Sequence, residues 1–151
     1  MASNGSLDIL IVEDNPDDLE LTLLTLADFK LTNRLHVARD GAEALDFIFR
    51  RGRYADRDPR DLPKVILLDL KLPRVDGLEV LRQIKQDPVA RTIPVVLLTS
   101  SREERDIAEG YKFGVNSYIT KPVVFEEFEA AVRSLGKYWL QVNRPPATGA
   151  A

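Results

Sequence analysis

The stretch VILLDLKLPRVDGLEVLRQI, residues 65–84, reads as three pieces. Val65-Ile66-Leu67-Leu68 reads as the most apolar strand, ending in an acid and buried on both faces, as in a parallel sheet. Leu72-Pro73 opens a turn and Asp76-Gly77 closes it. Leu78, Val80, Leu81 and Ile84 then recur at helical spacing, and the helix should end near Asp87-Pro88. A strand that feeds a helix through a short turn is the repeating unit of an α/β sheet.

The same unit recurs on either side. After a polar lead, Leu7–Val12 reads as a buried strand, and Asn15-Pro16-Asp17-Asp18 starts a helix with Pro and acids in its first turn. Leu19, Leu23, Leu26 and Ala27 share one face of that helix to about Phe29. A strand near Leu35–Ala38 leads through Asp40-Gly41 to Ala42, Leu45, Ile48 and Phe49, helically spaced up to Arg50. Residues 51–63 are charged and contain Gly52, Pro59 and Pro63, which predicts a long surface loop. Downstream, Pro94–Thr99 predicts a strand, Glu103–Phe113 a helix stopped by Gly114, and Ser117–Ile119 a brief strand. Phe125, Phe128, Ala131, Val132 and Leu135 mark a last amphipathic helix, followed by Tyr138-Trp139-Leu140. Strands and helices that alternate in this way imply a parallel sheet covered on both faces, since crossovers are right-handed. A single domain is expected over residues 7–142, with a disordered lead at 1–6 and a flexible tail at 143–151.

Composition narrows the function. The 21 Lys+Arg stand against 24 Asp+Glu, so no basic excess marks a nucleic-acid binder. The absence of Cys excludes disulfides and thiolate metal sites, and suits a reducing compartment. No apolar run approaches the roughly 18–20 residues that span a bilayer, and the start MASNGSLD lacks a signal-peptide layout. The expectation is a cytoplasmic protein with neither membrane nor nucleic acid as partner.

The strand ends carry the chemistry. Ile9–Val12 runs into Glu13-Asp14, Val65–Leu68 into Asp69, Val95–Leu98 into Thr99, and Tyr118-Ile119 into Thr120-Lys121-Pro122. In a parallel sheet the carboxyl ends of the strands share one edge, where ligands bind. Any one of these residues alone would pass for a helix cap or a surface side chain. In order, they outline an acidic, metal-dependent phosphoryl-transfer site. Crowded carboxylates repel, and a hard cation such as Mg²⁺ holds them ionised while leaving room for phosphate oxygens. Glu13, Asp14 and Asp69 would supply ligands, with Asp69 as nucleophile because it ends the most apolar strand, where the backbone is best fixed. Lys121 would add a positive charge and Thr99 a hydrogen bond to the new phosphoryl group. His36, the chain's one histidine, lies in no phosphotransfer context and reads as structural, so the phosphoryl donor must be another molecule.

The segments IVEDN, LLDLKLPRVDG, LLTSS and YITKP resemble the signature segments of the receiver domain of two-component response regulators. The resemblance covers about residues 7–136. It implies a flavodoxin-like, doubly wound (βα)5 three-layer sandwich with parallel sheet order 2-1-3-4-5. It also implies Asp69 as phosphoacceptor, Glu13 and Asp14 as metal pair, and Lys71 as a ligand through its backbone carbonyl. Thr99 and Tyr118 would be the switch residues and Lys121 the phosphate-pairing lysine. The partner would be a sensor histidine kinase, and phosphorylation would bias the face of the fourth helix, fifth strand and fifth helix towards a downstream protein. The resemblance makes the chain a signalling phosphoacceptor rather than an enzyme.

Two local features qualify this picture. Lys71 and Ser101, each two residues past a signature residue, can overhang the site and are expected to influence phosphoryl lifetime. The 51–63 loop and the ending Gly136-Lys137-Tyr138-Trp139-Leu140 look like the subgroup of receivers paired with bacterial phytochromes. There Tyr138, Trp139 and Leu140 would form an apolar partner patch and a symmetric homodimer, or else fold onto the core. Competing readings are a receiver for a different kinase and an interaction module with a silent site. A haloacid-dehalogenase phosphatase would carry Asp-x-Asp, whereas Asp69 is followed by Leu70-Lys71. A nucleotide site would need a Gly-rich loop after the first strand, and none is present. A DNA-binding regulator would need a helix-turn-helix after residue 140, and none follows.

Overall fold

The computed structural model describes residues 7–27, 34–99, 104–115, 117–120 and 130. Five parallel strands, β1 (Leu7–Val12), β2 (Arg34–Ala38), β3 (Val65–Leu68), β4 (Val95–Thr99) and β5 (Ser117–Thr120), stand in the order β2-β1-β3-β4-β5. Among the described residues the helices are α1 (Pro16–Ala27), α2 (Gly41–Ile48), α3 (Gly77–Gln86) and α4 (Glu104–Lys112). This is the flavodoxin-like order that the signature segments implied.

Register follows from the pleat. Val12 stands beside Leu68 and Leu68 beside Leu97, so β1, β3 and β4 align their carboxyl ends. Alternate side chains of each strand serve opposite faces. Leu10, Val12, Ile66, Leu68, Val95 and Leu97 bury themselves against α2 and α3, through Ala44, Leu45, Val80, Leu81 and Ile84. Ile9, Ile11, Val65, Leu67 and Val96 form the other core with Leu19 of α1. A strand apolar on every residue is the consequence, and all four residues of β3 are buried.

Local chemistry sets the helix ends. The Asn15 side-chain oxygen accepts from Asp17 N at 2.9 Å and Asp18 N at 3.0 Å, capping α1 with Pro16 in its first turn. Asp40 caps α2 by accepting from Glu43 N at 2.7 Å. Gly114, with φ 97, stops α4, as its position predicted.

One helix end differs from the sequence reading, and other details go beyond it. α2 ends at Ile48 rather than Arg50, because Arg50 turns left-handed at φ 56 and Arg51 N reaches back to Asp46 O at 2.8 Å. Thr22 is buried in α1, its hydroxyl donating to Asp18 O at 2.9 Å, while Leu24 lies 62% exposed. The connection over residues 51–63 is largely exposed, as read, but it is pinned to the domain at two side chains. It forms a 3-10 turn at Gly52–Tyr54, and Tyr54 fits edge-on against Phe47 and His36 with ring centroids 5.0 and 5.3 Å away. Arg57 lies 3.8 Å over the Phe47 ring. His36 stacks on Phe47 at 3.9 Å, in keeping with the structural role read for it. A second 3-10 turn at Ala90–Thr92, unread in the sequence, leads into β4.

Candidate metal and phosphoacceptor site

The sheet brings Glu13, Asp14 and Asp69 together. One carboxylate oxygen from each lies within 4.8 Å of the others. Their backbones are held by a ladder that continues past the strand ends: Glu13 N donates to Ala38 O and Asp69 N to Val12 O, each at 3.0 Å. Glu13 and Asp69 are 4% and 8% exposed, and Asp14 is exposed at the mouth. Glu13 Oε2 accepts from Asn15 N and Asp69 Oδ1 from Lys71 N, both at 3.2 Å, which aims the two buried carboxylates.

Two glycines shape the floor. Gly77 N donates to Leu70 O at 2.9 Å, and a Cβ on Gly77 would stand 2.3 Å from Asp69 O. Gly41 N donates to Pro73 O at 3.3 Å, and a Cβ there would stand 1.8 Å from Val75 O. Only residues without a side chain let the first turns of α2 and α3 press onto the 70–76 loop so closely. Within that loop Val75 N donates back to Pro73 O at 2.8 Å around Arg74, whose φ is 70, a γ-turn that non-glycine residues rarely adopt. The sequence showed both Asp-Gly pairs as turns, but their role as contact points depended on which loop lay above them.

The donor set is hard oxygen alone, suited to a divalent cation that keeps waters, such as Mg²⁺ or Mn²⁺. Three like charges at this spacing, two of them buried, are stabilised by such an ion. The residues therefore fit a divalent metal.

Of the other expected site residues, Lys71 is exposed beside Asp69. Thr99 ends β4 and pairs with Thr120, and Tyr118 pairs with Leu97, so both backbones reach the same edge of the sheet. Lys121, Tyr138, Trp139, Leu140 and Ser101 lie outside the described residues. No helix among the described residues is long and apolar enough to cross a membrane.

The family "Response regulator receiver domain" matches residues 9–133. The probable methanogenesis regulatory protein FilR2 of Methanothrix harundinacea is 43% identical over 91% of this chain and 86% of its own. The response regulator Rcp1 of Synechocystis is 39% identical over 96% of this chain and 97% of its own. The Mn²⁺-bound form of Rcp1 superposes with a TM-score of 0.87 at 38% identity, covering 93% of this chain and 99% of that one. The bacteriophytochrome response regulator RtBRR is 51% identical, with a TM-score of 0.74 over 94% of this chain and 85% of its own.

Proposed function

Since this chain belongs to the response regulator receiver family, as a signalling domain whose kind is served by histidine kinases, we propose that it is a phospho-switch acting through Asp69. The observation that carries this reading is the convergence of Glu13, Asp14 and Asp69 within 4.8 Å at one sheet edge. An Asp69 carboxylate oxygen attacks the phosphorus of a kinase phosphohistidine; the P–N bond breaks and the electron pair returns to the imidazole. Mg²⁺ bound by Glu13, Asp14, Asp69 and the Lys71 carbonyl would neutralise the charge on the transferring group. The backbone bonds at Asp69 N and Lys71 N keep the nucleophile in line, which is most of what such a transfer asks of a protein. Thr99 and Lys121 then bind the new phosphoryl oxygens, and Tyr118 follows Thr99 inward.

Incubation with acetyl phosphate, read by intact-mass spectrometry, tests the switch. Wild type should gain one phosphoryl group only with Mg²⁺, and Asp69→Asn should gain none. A wild type unmodified by both acetyl phosphate and its kinase would leave only the silent interaction module.

The input is proposed to be a phytochrome kinase, on the likeness to RtBRR and Rcp1. The comparable identity of FilR2 supports a second reading, a different kinase. Transfer rates from a phosphorylated phytochrome kinase and an unrelated kinase separate the two. A symmetric dimer through the α4–β5 face is also proposed. Tyr111 of α4, a large side chain left 54% exposed, favours it. Light scattering should give a dimer mass that Trp139→Ala lowers, and a monomer for both chains would end the dimer proposal.

A further inference from the structure

A second cleft opens at the opposite edge of the sheet, where the strands begin. It lies between the end of α2, the 51–63 connection and the turn after α3, with a volume of about 430 Å³. Its floor is apolar, formed by buried Ile48 and Ala90 with half-buried Phe49 and Leu62 packed against the core. Its rim is not. Arg50 and Arg51 are exposed on one side, and Val89, 55% exposed, stands on the other.

The arginines are placed and uncommitted. Among the described residues neither makes an ion pair. The Arg51 guanidinium carbon sits 5.0 Å over the Phe49 ring, which holds its charge against the cleft wall. Arg50 takes the left-handed position that closes α2, at φ 56, where glycine is the usual residue. The attraction of a cation to a helix C-terminus offsets that strain only in part. The cleft's own carboxylate, Asp87, is engaged by Val89 N at 3.0 Å and Ala90 N at 2.8 Å. Residues 50–64 carry six Lys or Arg against three Asp, a local net charge of +3 in a chain of net −3. A basic rim around an apolar floor complements an acidic ligand that also carries an apolar side chain.

We propose that this cleft docks an acidic segment of a partner protein. The segment's carboxylates pair with Arg50 and Arg51, and an apolar side chain enters between Phe49, Leu62 and Val89. The cleft lies at the amino ends of the strands and the carboxylate cluster at their carboxyl ends, so both can be engaged at once. The surface is independent of phosphoryl transfer and offers a tether for a partner that also visits the switch.

The test is a titration of the ¹⁵N-labelled full chain with the peptide Ac-Glu-Glu-Leu-Glu-Glu-Phe-Glu-Glu-NH₂, followed by amide shifts. Saturable shifts at Arg50, Arg51, Leu62 and Val89 are expected, weakening as salt rises and at least tenfold weaker in Arg50→Glu/Arg51→Glu. Acetyl phosphate should label that variant as it labels wild type, which shows the fold and the switch intact. Absence of shifts, shifts unchanged by the variant, or equal shifts with Lys in place of every Glu would overturn the proposal. So would an equal response to an oligothymidylate, which would make the cleft a nucleic-acid surface. Concentration-dependent shifts at the same amides without peptide would make the occupant a second copy, and the proposal would fall.

Discussion

At the scale of single residues, the site depends as much on what is missing as on what is present. Asp69 is aimed by two backbone bonds, but its loop closes only because Gly77 has no side chain: a Cβ would stand 2.3 Å from Asp69 O. Backbone cannot retreat from backbone cheaply. Gly77→Ala should therefore lower stability by about 2–3 kcal/mol, at the upper end of overpacking costs, and should reduce acetyl-phosphate labelling of Asp69 by displacing it. Urea unfolding measures the first and intact mass the second; a variant matching wild type in both would show that the contact is soft. Asp69 could be singled out from the sequence, because an acid after four apolar residues is a local signal. The glycine's role could not be read there, because the atom it avoids belongs to the end of another element.

At the scale of elements, the segment over residues 51–63 shows what a surface loop can hold together. It is the exposed loop that its charge and prolines suggested, and Tyr54 ties it to α2 and β2. Its hydroxyl donates to Glu43 Oε2 at 2.9 Å on α2, accepts from Arg53 Nη2 at 2.7 Å, and lies 3.1 Å from His36 Nε2 on β2. With the hydroxyl donating to Glu43, the Tyr54 oxygen is left to accept from a His36 Nε2–H. Burial pushes the His36 pKa below its usual 6.5; Glu43 opposes this and Arg57 and Arg53 add to it. The sign follows from linkage. Well above pH 6.5 the ring is neutral in both states and contributes nothing to pH dependence. As pH falls through 6.5 the unfolded chain takes up a proton that the native state resists, so stability is lost. Thermal melts from pH 7.5 to 5.5 should show this loss in wild type and less of it in His36→Phe, which keeps the stacking on Phe47. Equal slopes would remove His36 as the cause. The four described helices, by contrast, were legible to within about two residues, since apolar spacing and capping residues are local; the last helix read, from Phe125 to Leu135, lies outside the described residues.

At the scale of the whole molecule, folding concentrates negative charge at one edge of the sheet. Bringing three carboxylates within 4.8 Å opposes folding unless a cation joins them. A divalent ion that binds only the native site adds RT ln(1 + [L]/Kd), about 2.7 kcal/mol at a hundredfold excess over Kd. Mg²⁺ should accordingly raise the melting temperature of wild type. Asp14→Asn, which removes the exposed member of the cluster, should be at least as stable without metal and should lose most of the Mg²⁺ increment. An undiminished increment would place the ion elsewhere. The fold class, the strand order implied by the signature segments, and the acids Glu13, Asp14 and Asp69 were determined by the sequence alone. Apolar periodicity and strand-end residues are properties of short stretches, and a parallel sheet brings all its strand ends to one edge. The tertiary structure decided the packed Tyr54–His36–Glu43 junction, the contacts of Gly41 and Gly77 on the 70–76 loop, and the basic cleft of Arg50 and Arg51. Each of these joins residues from different elements, and their meeting is set by how helices and loops pack on the sheet, a distance that no local pattern in the chain encodes.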